Sequence, residues 1–167
     1  MRIKMKIMQI KGQKEVNQAE KKGRGKIYTL MSGDTRIIKH YFTPEQFNQI
    51  DLFLTAATPE EKYAIEIKDR NFPTGFFKTG WIIETSKFKA LTNAYQDSGY
   101  TPYYANFFTD NKLVLWNLLK TPYGKEIMTT TKTTVFDRDK EKVTKERYLL
   151  KEEDAERIID LTDYGMQ

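Results

Sequence analysis

Two acids and a lysine fall in two neighbouring apolar segments of the chain. Residues 62–70 have the pattern of a strand in which Glu66 and Lys68 share one face, because side chains two apart on a strand point the same way. Fifteen residues before Glu66, Asp51 stands in the apolar run 50–55. Charged side chains on a hydrophobic strand are costly to bury without partners, and a metal ion and a phosphate would be such partners.

These residue types suit metal-dependent cleavage of a phosphodiester bond. If the two segments form a hairpin, Asp51 approaches Glu66 and Lys68. Two carboxylates can hold Mg²⁺ or Mn²⁺ through hard oxygen ligands, and such an ion lowers the pKa of a bound water. Lys68 would orient or help deprotonate that water and compensate the charge of the transition state. None of these roles needs cysteine, which the chain lacks, or its one histidine.

The sequence leaves an alternative open for each part of this constellation. Residues 43–46 have the form of a capping box, which would start a helix through Asp51, although the strand-forming residues 50–55 favour a strand. Glu66 and Lys68 could also be an ion pair on an edge strand, which contributes little to stability.

The elements that must position these side chains follow from the remaining patterns. We expect a strand at 3–7, a helix at 14–22 ended by Gly23 and Gly25, and strands at 27–30 and 36–42. A helix at 86–96 should stop at Gly99 and be followed by strands at 103–108 and 113–118. A long hairpin of 129–135 with 143–150, with a charged tip at 137–142, and a short helix at 152–161 should close the chain. This order predicts an α/β (α+β) domain with a mixed sheet.

Composition limits the classes of protein that fit. A chain of 167 residues fits one domain with a buried core. The absence of cysteine excludes disulfides, thiolate nucleophiles and Cys-ligated zinc. The first residues do not have the pattern of a signal peptide and no apolar run approaches membrane-spanning length, so we expect an intracellular, cytoplasmic protein with no membrane association.

Positive charge is concentrated near the start of the chain. The formal charge is +5, and residues 1–26 hold nine Lys or Arg against two Glu. A basic arm favours a polyanionic partner, although a solvated surface fits equally well. The candidate DNA-binding cations are Lys21, Lys22, Arg24, Lys26, Arg70 and Lys87. We expect Lys87, in the first turn of the helix at 86–96, to face solvent, with a phosphate contact as the alternative.

Asp51, Glu66-Ile67-Lys68 and the helix that follows resemble the PD-(D/E)XK nuclease superfamily, in particular its Holliday-junction-resolvase-like and restriction-endonuclease-like members. The resemblance covers about residues 12–118. It implies a restriction-endonuclease-like mixed central β-sheet flanked by helices. A C-terminal β-hairpin and short helix (119–167) would extend this core within a single domain, 1–167.

The resemblance also implies roles for individual residues. Asp51, Glu66 and the backbone carbonyl of Ile67 would bind the metal, and Lys68 would be the catalytic lysine. Members of the group often add another acid, for which the candidates are Glu15, Glu20 and Glu84. The implied activity is that of a Mg²⁺-dependent (or Mn²⁺-dependent) DNA endonuclease, acting as a homodimer on branched DNA such as a Holliday junction or on duplex DNA.

Two other hypotheses about the function of the chain remain open at this point. The first is a non-catalytic DNA-binding or assembly protein on a nuclease-like fold. The second is a small structural protein in which Asp51 lies on a helix.

Overall fold

The computed structural model describes residues 20–44, 49–57, 60–131 and 142–166. Helix α1 covers residues 20–32, and helix α2 is Thr85–Ser98. The strands of the described part are β1 (Ile37–Phe42), β2 (Leu52–Ala56), β3 (Glu61–Asp69), β4 (Trp81–Glu84), β5 (Thr101–Phe107), β6 (Lys112–Asn117), β7 (Gly124–Thr131), β8 (Lys142–Leu150) and β9 (Arg157–Asp160). Short 3-10 helices at Glu152–Asp154 and Leu161–Tyr164 flank β9.

The central sheet is mixed, as the sequence predicts. It has six strands in the order β1-β2-β3-β5-β6-β9. β3 and β5 are parallel and every other neighbouring pair is antiparallel. Parallel neighbours need a crossover connection, which β4 and α2 supply between β3 and β5.

Alternation along β3 gives this sheet two different faces. Ile65 and Ile67 pack in an apolar layer with Ile27 of α1. Ala64 lies in a second apolar layer with Leu91 of α2. The helices therefore flank the sheet, and the charged positions of β3 that alternate with the isoleucines lie on the α2 face.

A second, three-stranded antiparallel sheet has the order β4-β8-β7. Its residues Trp81, Ile83 and Leu150 belong to the same apolar layer as α2. The pairing of β7 with β8 confirms a C-terminal hairpin, but its first strand begins at Gly124 and not at residue 129 as predicted. The tip of the hairpin lies outside the described residues.

The prediction for residues 23–30 is wrong. α1 continues through Gly23 and Gly25 to residue 32, so residues 27–30 are helical and form no strand. A Cβ added at Gly23 would lie 3.1 Å from Cγ2 of Ile67, so this glycine allows α1 to lie close to β3. A requirement of tertiary packing explains the glycine better than a helix end does.

The predicted helix at 152–161 is also wrong. The chain makes one 3-10 turn and then forms β9, whose Ile158 pairs with Val114 of β6. β-branched residues favour a strand, and β9 becomes an edge of the central sheet. β4 was not predicted, since four residues are too few for a periodic signal.

Several other predictions are confirmed. β2 begins directly after Asp51, which settles the choice between strand and helix for residues 52–55. α2 ends at a left-handed Gly99, and β5 and β6 form the predicted pair. The strand predicted at 3–7, residues 14–19 of the first helix and residues 45–48 of the capping box lie outside the described part. Neither of the two helices described has the length and apolar character needed to span a membrane.

Candidate active site

The hairpin of β2 and β3 brings Asp51 beside Glu66. Leu52 pairs with Ile65, so Asp51, one residue earlier, stands at the level of Glu66 on the neighbouring strand. The Asp51 N–H donates to the Ile65 carbonyl at 3.1 Å. The side chain then turns toward β3, where its Oδ2 accepts from the Ile67 N–H at 2.8 Å.

Glu66 is the centre of the charge cluster and is fully buried. Its Oε1 lies 2.9 Å from Nζ of Lys68 and also accepts a hydrogen bond from Lys87. Its Oε2 is buried without a hydrogen-bond partner. Because most buried polar atoms in folded proteins have a partner, this oxygen is a candidate ligand atom.

Arg24 of α1 holds Asp51 from the other side. Its Nη2 donates to Asp51 Oδ1 at 2.8 Å, and its Nη1 donates to the carbonyl of Thr43 at 2.6 Å. The two paired side chains are only 14% and 13% exposed, so water weakens this charge-assisted contact little. Arg24 and the Ile67 N–H together fix the direction of the Asp51 carboxylate.

The two carboxyls are shifted in opposite directions. Burial raises the pKa of Glu66, the charge of Lys68 opposes this rise and the charge of Asp51 adds to it, so that the net pKa lies above the ordinary value. Burial also raises the pKa of Asp51, but hydrogen bonds with the Ile67 N–H, with the Glu66 carboxyl and with Arg24 outweigh burial. The net pKa of Asp51 therefore lies below the ordinary value. Burial dominates at Glu66 and hydrogen bonds dominate at Asp51, and the two neighbouring carboxyls therefore diverge.

Lys68 is a cation throughout the ordinary pH range. Burial lowers the pKa of its ammonium, but the charge of Glu66 outweighs burial and the pKa lies above the usual value for lysine. The side chain is 33% exposed, so it connects the buried carboxyl to solvent. This protonation state suits electrostatic stabilisation of an anion better than proton abstraction.

The expectation that Lys87 faces solvent is wrong. It lies in the first turn of α2, where the helix dipole disfavours a cation, yet its side chain reaches the buried carboxyl of Glu66. Side chains of a helix lean toward its N-terminus, and here that direction leads to β3. The cluster therefore contains three cations, Arg24, Lys68 and Lys87, against two carboxylates.

A layer of polar aromatic and amide groups lies next to this cluster on β5. Tyr104 is opposite Glu66 and Asn106 is opposite Lys68 in the parallel register. The Tyr104 hydroxyl accepts from Arg70 Nη2 at 2.5 Å and donates to the Ile82 carbonyl at 2.9 Å. Both amide atoms of Asn106 are buried without a partner. Sequence reasoning missed Asn106, for which the signal was a single amide within an aromatic strand.

The other predicted site residues lie away from the cluster or on its edge. Lys26 donates to Asp69 at 2.7 Å, and Lys22 lies 3.7 Å from the same carboxylate, on the face covered by α1. Lys21, Glu20 and Glu84 are exposed, whereas Glu15 lies outside the described residues. A metal-binding role for the Ile67 carbonyl stays a prediction.

Comparison with known proteins identified no relative of this chain. No protein-family model matches the chain, and neither the curated proteins nor the solved structures gave a significant match.

Proposed function

We propose that this chain is a metal-dependent DNA endonuclease of the PD-(D/E)XK type, which hydrolyses phosphodiester bonds in branched or duplex DNA. The observation that carries the proposal is the buried carboxyl of Glu66. It lies beside Asp51 and Lys68, and one of its oxygens has no donor. A purely structural ion pair would not need a second acid or an open acceptor at the same point.

The arrangement of the elements supports a restriction-endonuclease-like fold as part of this proposal. Asp51 directly precedes one strand, Glu66 and Lys68 lie on the next, and a helix packed on the sheet follows. These are the features that the resemblance implies. The mixed sheet between two helices is compatible with it.

The residues present fit Mg²⁺ or Mn²⁺. Within the described ranges, no group of three or more His, Cys, Asp or Glu has metal-binding geometry. Two carboxylates can nevertheless suffice for Mg²⁺, which usually keeps several waters and shares substrate phosphates. Asp51 and Glu66 would hold the ion, with the open Oε2 of Glu66 as the available ligand atom.

Protein groups around the site have distinct tasks in the proposed reaction. A bound divalent ion would activate a water and neutralise charge on the phosphate. The positive charge of Lys68 stabilises the phosphate oxygens electrostatically as negative charge grows on them in the transition state. Arg24 and the Ile67 N–H keep Asp51 oriented, and Lys87 balances the charge of Glu66.

DNA would approach along the basic side of α1. Arg24 is tied to Asp51, so the exposed Lys21 lies within about one helical turn of a residue that contacts the site. Lysine contacts to phosphates position a duplex without reading its sequence. A homodimer, which would place two sites for paired cuts, belongs to the proposal and is tested by sedimentation equilibrium.

The decisive experiment incubates the full chain with linear, nicked and four-way DNA, with Mg²⁺, with Mn²⁺ and with EDTA. We expect cleavage only with metal, and a loss of about 10²–10³-fold in Lys68→Ala. Lys62→Ala is the matched control, because Lys62 lies on the same strand but contacts the Tyr100 ring. Cleavage that survives EDTA, or no cleavage of any substrate, would overturn the proposal.

A second candidate is a DNA-binding or assembly protein without catalysis. The charge count favours it, because three cations already balance the two carboxylates in the folded protein. In that case the protein binds DNA but does not cleave it, and EDTA leaves the DNA affinity unchanged. Lys68→Ala then lowers the DNA affinity by no more than the loss of one phosphate contact.

A further inference from the structure

The loop between β3 and β4, residues 71–80, exposes a cluster of three phenylalanines. We call it the aromatic loop. Phe72, Phe76 and Phe77 are 37%, 53% and 44% exposed. Phe72 stacks on Phe76 with 4.5 Å between ring centroids, and Phe77 packs edge-on against both. A contiguous exposed apolar patch of this kind marks an interaction site.

The loop is built to hold these rings in place. The Thr74 N–H and hydroxyl donate to the Asp110 carboxylate at 3.2 and 2.5 Å. The Gly75 N–H donates to both oxygens of Glu152, at 2.8 and 3.0 Å. Two carboxylates from distant parts of the chain therefore fix a loop whose rings still face outward, which is a pre-organised surface.

Glycine at the end of the loop is also required by its geometry. Gly80 has a φ of +114°, and a Cβ there would lie 2.7 Å from the carbonyl oxygen of Leu150. The backbone thus closes tightly against the end of β8 just before Trp81. The Trp81 indole N–H donates to the same Glu152 at 2.6 Å.

A cleft of about 490 Å³ lies beside the aromatic loop, at the end of β3 that follows Lys68. Its lining includes Arg70, Phe72, Phe77 and Trp81. The Arg70 guanidinium lies 5.4 Å from the Trp81 ring centroid and contacts the Tyr104 hydroxyl, opposite Glu66 on β5.

Chain length limits the distance between the two sites. Phe72 follows Lys68 by four residues, so their Cα atoms are at most about 14 Å apart. This reach corresponds to about four steps of a DNA strand at roughly 3.4 Å per step.

We propose that the aromatic loop stacks unpaired nucleobases beside the scissile phosphate. The preferred substrate would then carry a single-stranded or branched segment within about four nucleotides of the cut. This inference rests on the proposed nuclease function. Bases in a continuous duplex already stack on one another, whereas an unpaired base can offer its face to a phenylalanine ring. The cleft also contains Asp69, which Lys26 and Lys22 neutralise, and Arg70 together with the exposed Lys78 supplies positive charge for the adjoining backbone.

The test measures DNA affinity in EDTA, so that binding is read without cleavage. Fluorescence anisotropy compares a forked DNA, a single strand and a blunt duplex, using the full chain and its variants. We expect Phe76→Ala to weaken binding to the fork and single strand by about 5- to 100-fold, as for the loss of one base–aromatic stack, with duplex affinity unchanged. Phe76→Trp should retain affinity and Phe76→Leu should not, since leucine is apolar but has no aromatic face. Tyr164→Ala, at a residue 58% exposed outside the loop, is the matched control.

A second measurement locates the stacked base. 2-Aminopurine placed singly at each of the first four unpaired positions should be quenched by the wild-type protein at one or two of them, and not by Phe76→Ala. Equal affinity of wild type, Phe76→Ala and Phe72→Ala for the fork would overturn the inference. A shift to monomer in the alanine variants, with fork affinity retained, would overturn it too and assign the patch to contact between copies.

The cleavage assay and the affinity measurement together distinguish failure of the nuclease proposal from failure of the base-stacking proposal. Metal-dependent cleavage with fork affinity independent of the phenylalanines refutes the aromatic loop alone. Ring-dependent binding of the fork with no cleavage in Mg²⁺ or Mn²⁺ refutes the nuclease and supports base stacking in a binding protein.

Discussion

Glu66 and Asp69 lie three residues apart on β3 and face opposite sides of the sheet. Each carboxylate lies within ion-pair distance of two lysines, Lys68 and Lys87 for Glu66, and Lys26 and Lys22 for Asp69. Each is also well buried, with side-chain exposures of 0% and 9%. By these measures alone the two sites are alike.

Their difference lies in what remains unsatisfied. One oxygen of Asp69 lies 2.7 Å from Lys26 and the other 3.7 Å from Lys22, so each oxygen faces a cation. At Glu66 both cations contact Oε1, while Oε2 has no donor and a second carboxylate, Asp51, stands beside it. An ion pair can therefore be structural on one face, while surplus acid and an open acceptor indicate a binding site on the other.

Neutralising the two acids in turn should separate these roles most clearly. Glu66→Gln should lose at least about 10²-fold in metal-dependent cleavage, because the open ligand oxygen loses its charge. It should lower the free energy of unfolding by less than the roughly 3–5 kcal/mol typical of a broken buried pair, because both lysines reach solvent. Asp69→Asn should keep cleavage within a few-fold and lower that free energy by about 1.5–3 kcal/mol, the usual contribution of a hydrogen bond to a charged group.

Urea denaturation and a cleavage assay on the same preparations provide the measurements. Full activity in Glu66→Gln contradicts the assignment. An equal loss of cleavage in Asp69→Asn would mean that the two faces do not differ in function.

This contrast also indicates what sequence can predict here. The alternation of β3 and the apolar runs around Asp51 are local signals, so the hairpin that joins Asp51 to Glu66 was predictable. The partners Arg24 and Lys87 come from two helices on opposite sides of the sheet. Their contacts depend on packing distance and side-chain direction, for which a periodic pattern carries no information.

Gly23 illustrates the same limit. As a local signal it predicts a helix end, yet its effect in the fold is to let α1 approach Ile67. β4 and β9 are four-residue strands that depend on distant partners, β8 and β6, so their formation also required tertiary information. The mixed sheet could be predicted, whereas the second sheet built on β4 could not.

Lys87 offers a sharper test of how charge is balanced around Glu66. In Lys87→Met one of the three cations is removed, so a divalent ion meets less repulsion at the two carboxylates. We expect the affinity for Mn²⁺ without DNA to increase by about tenfold, measured by titration calorimetry. DNA binding should weaken slightly, with a salt dependence lower by about one phosphate contact.

Lys89→Met, at an exposed position on the same helix, is the matched control and should leave Mn²⁺ affinity unchanged. Unchanged affinity in Lys87→Met would mean that Lys87 balances Glu66 structurally, as the lysines beside Asp69 do.

Asp110 extends the comparison to a satisfied carboxylate at the surface, and here the smallest effect is expected. Burial raises its pKa, but the hydrogen bonds from Thr74 and the charge of Lys112 outweigh burial, and the net pKa lies below the ordinary value. A lowered pKa means that the contribution to stability is complete above the unfolded value and is lost as the pH falls through the folded one. Asp110→Asn should therefore lower the free energy of unfolding by less than about 1 kcal/mol at pH 7, and the difference from wild type should shrink below pH 4.

Amide hydrogen exchange in residues 71–80 should report the same change locally, because Asp110 anchors the aromatic loop through Thr74. Glu153→Gln, which removes an exposed carboxylate 3.4 Å from Lys151, is the control and should leave exchange in that loop unaffected. A difference between wild type and Asp110→Asn that persists undiminished below the folded pKa of Asp110, where the wild-type carboxyl is neutral, would show that the side chain acts through its shape. In that case the charge of Asp110 would not contribute to stability, in contrast to the charges of Glu66 and Asp69. Glu152 would then be the one carboxylate whose charge helps to hold the aromatic loop in place.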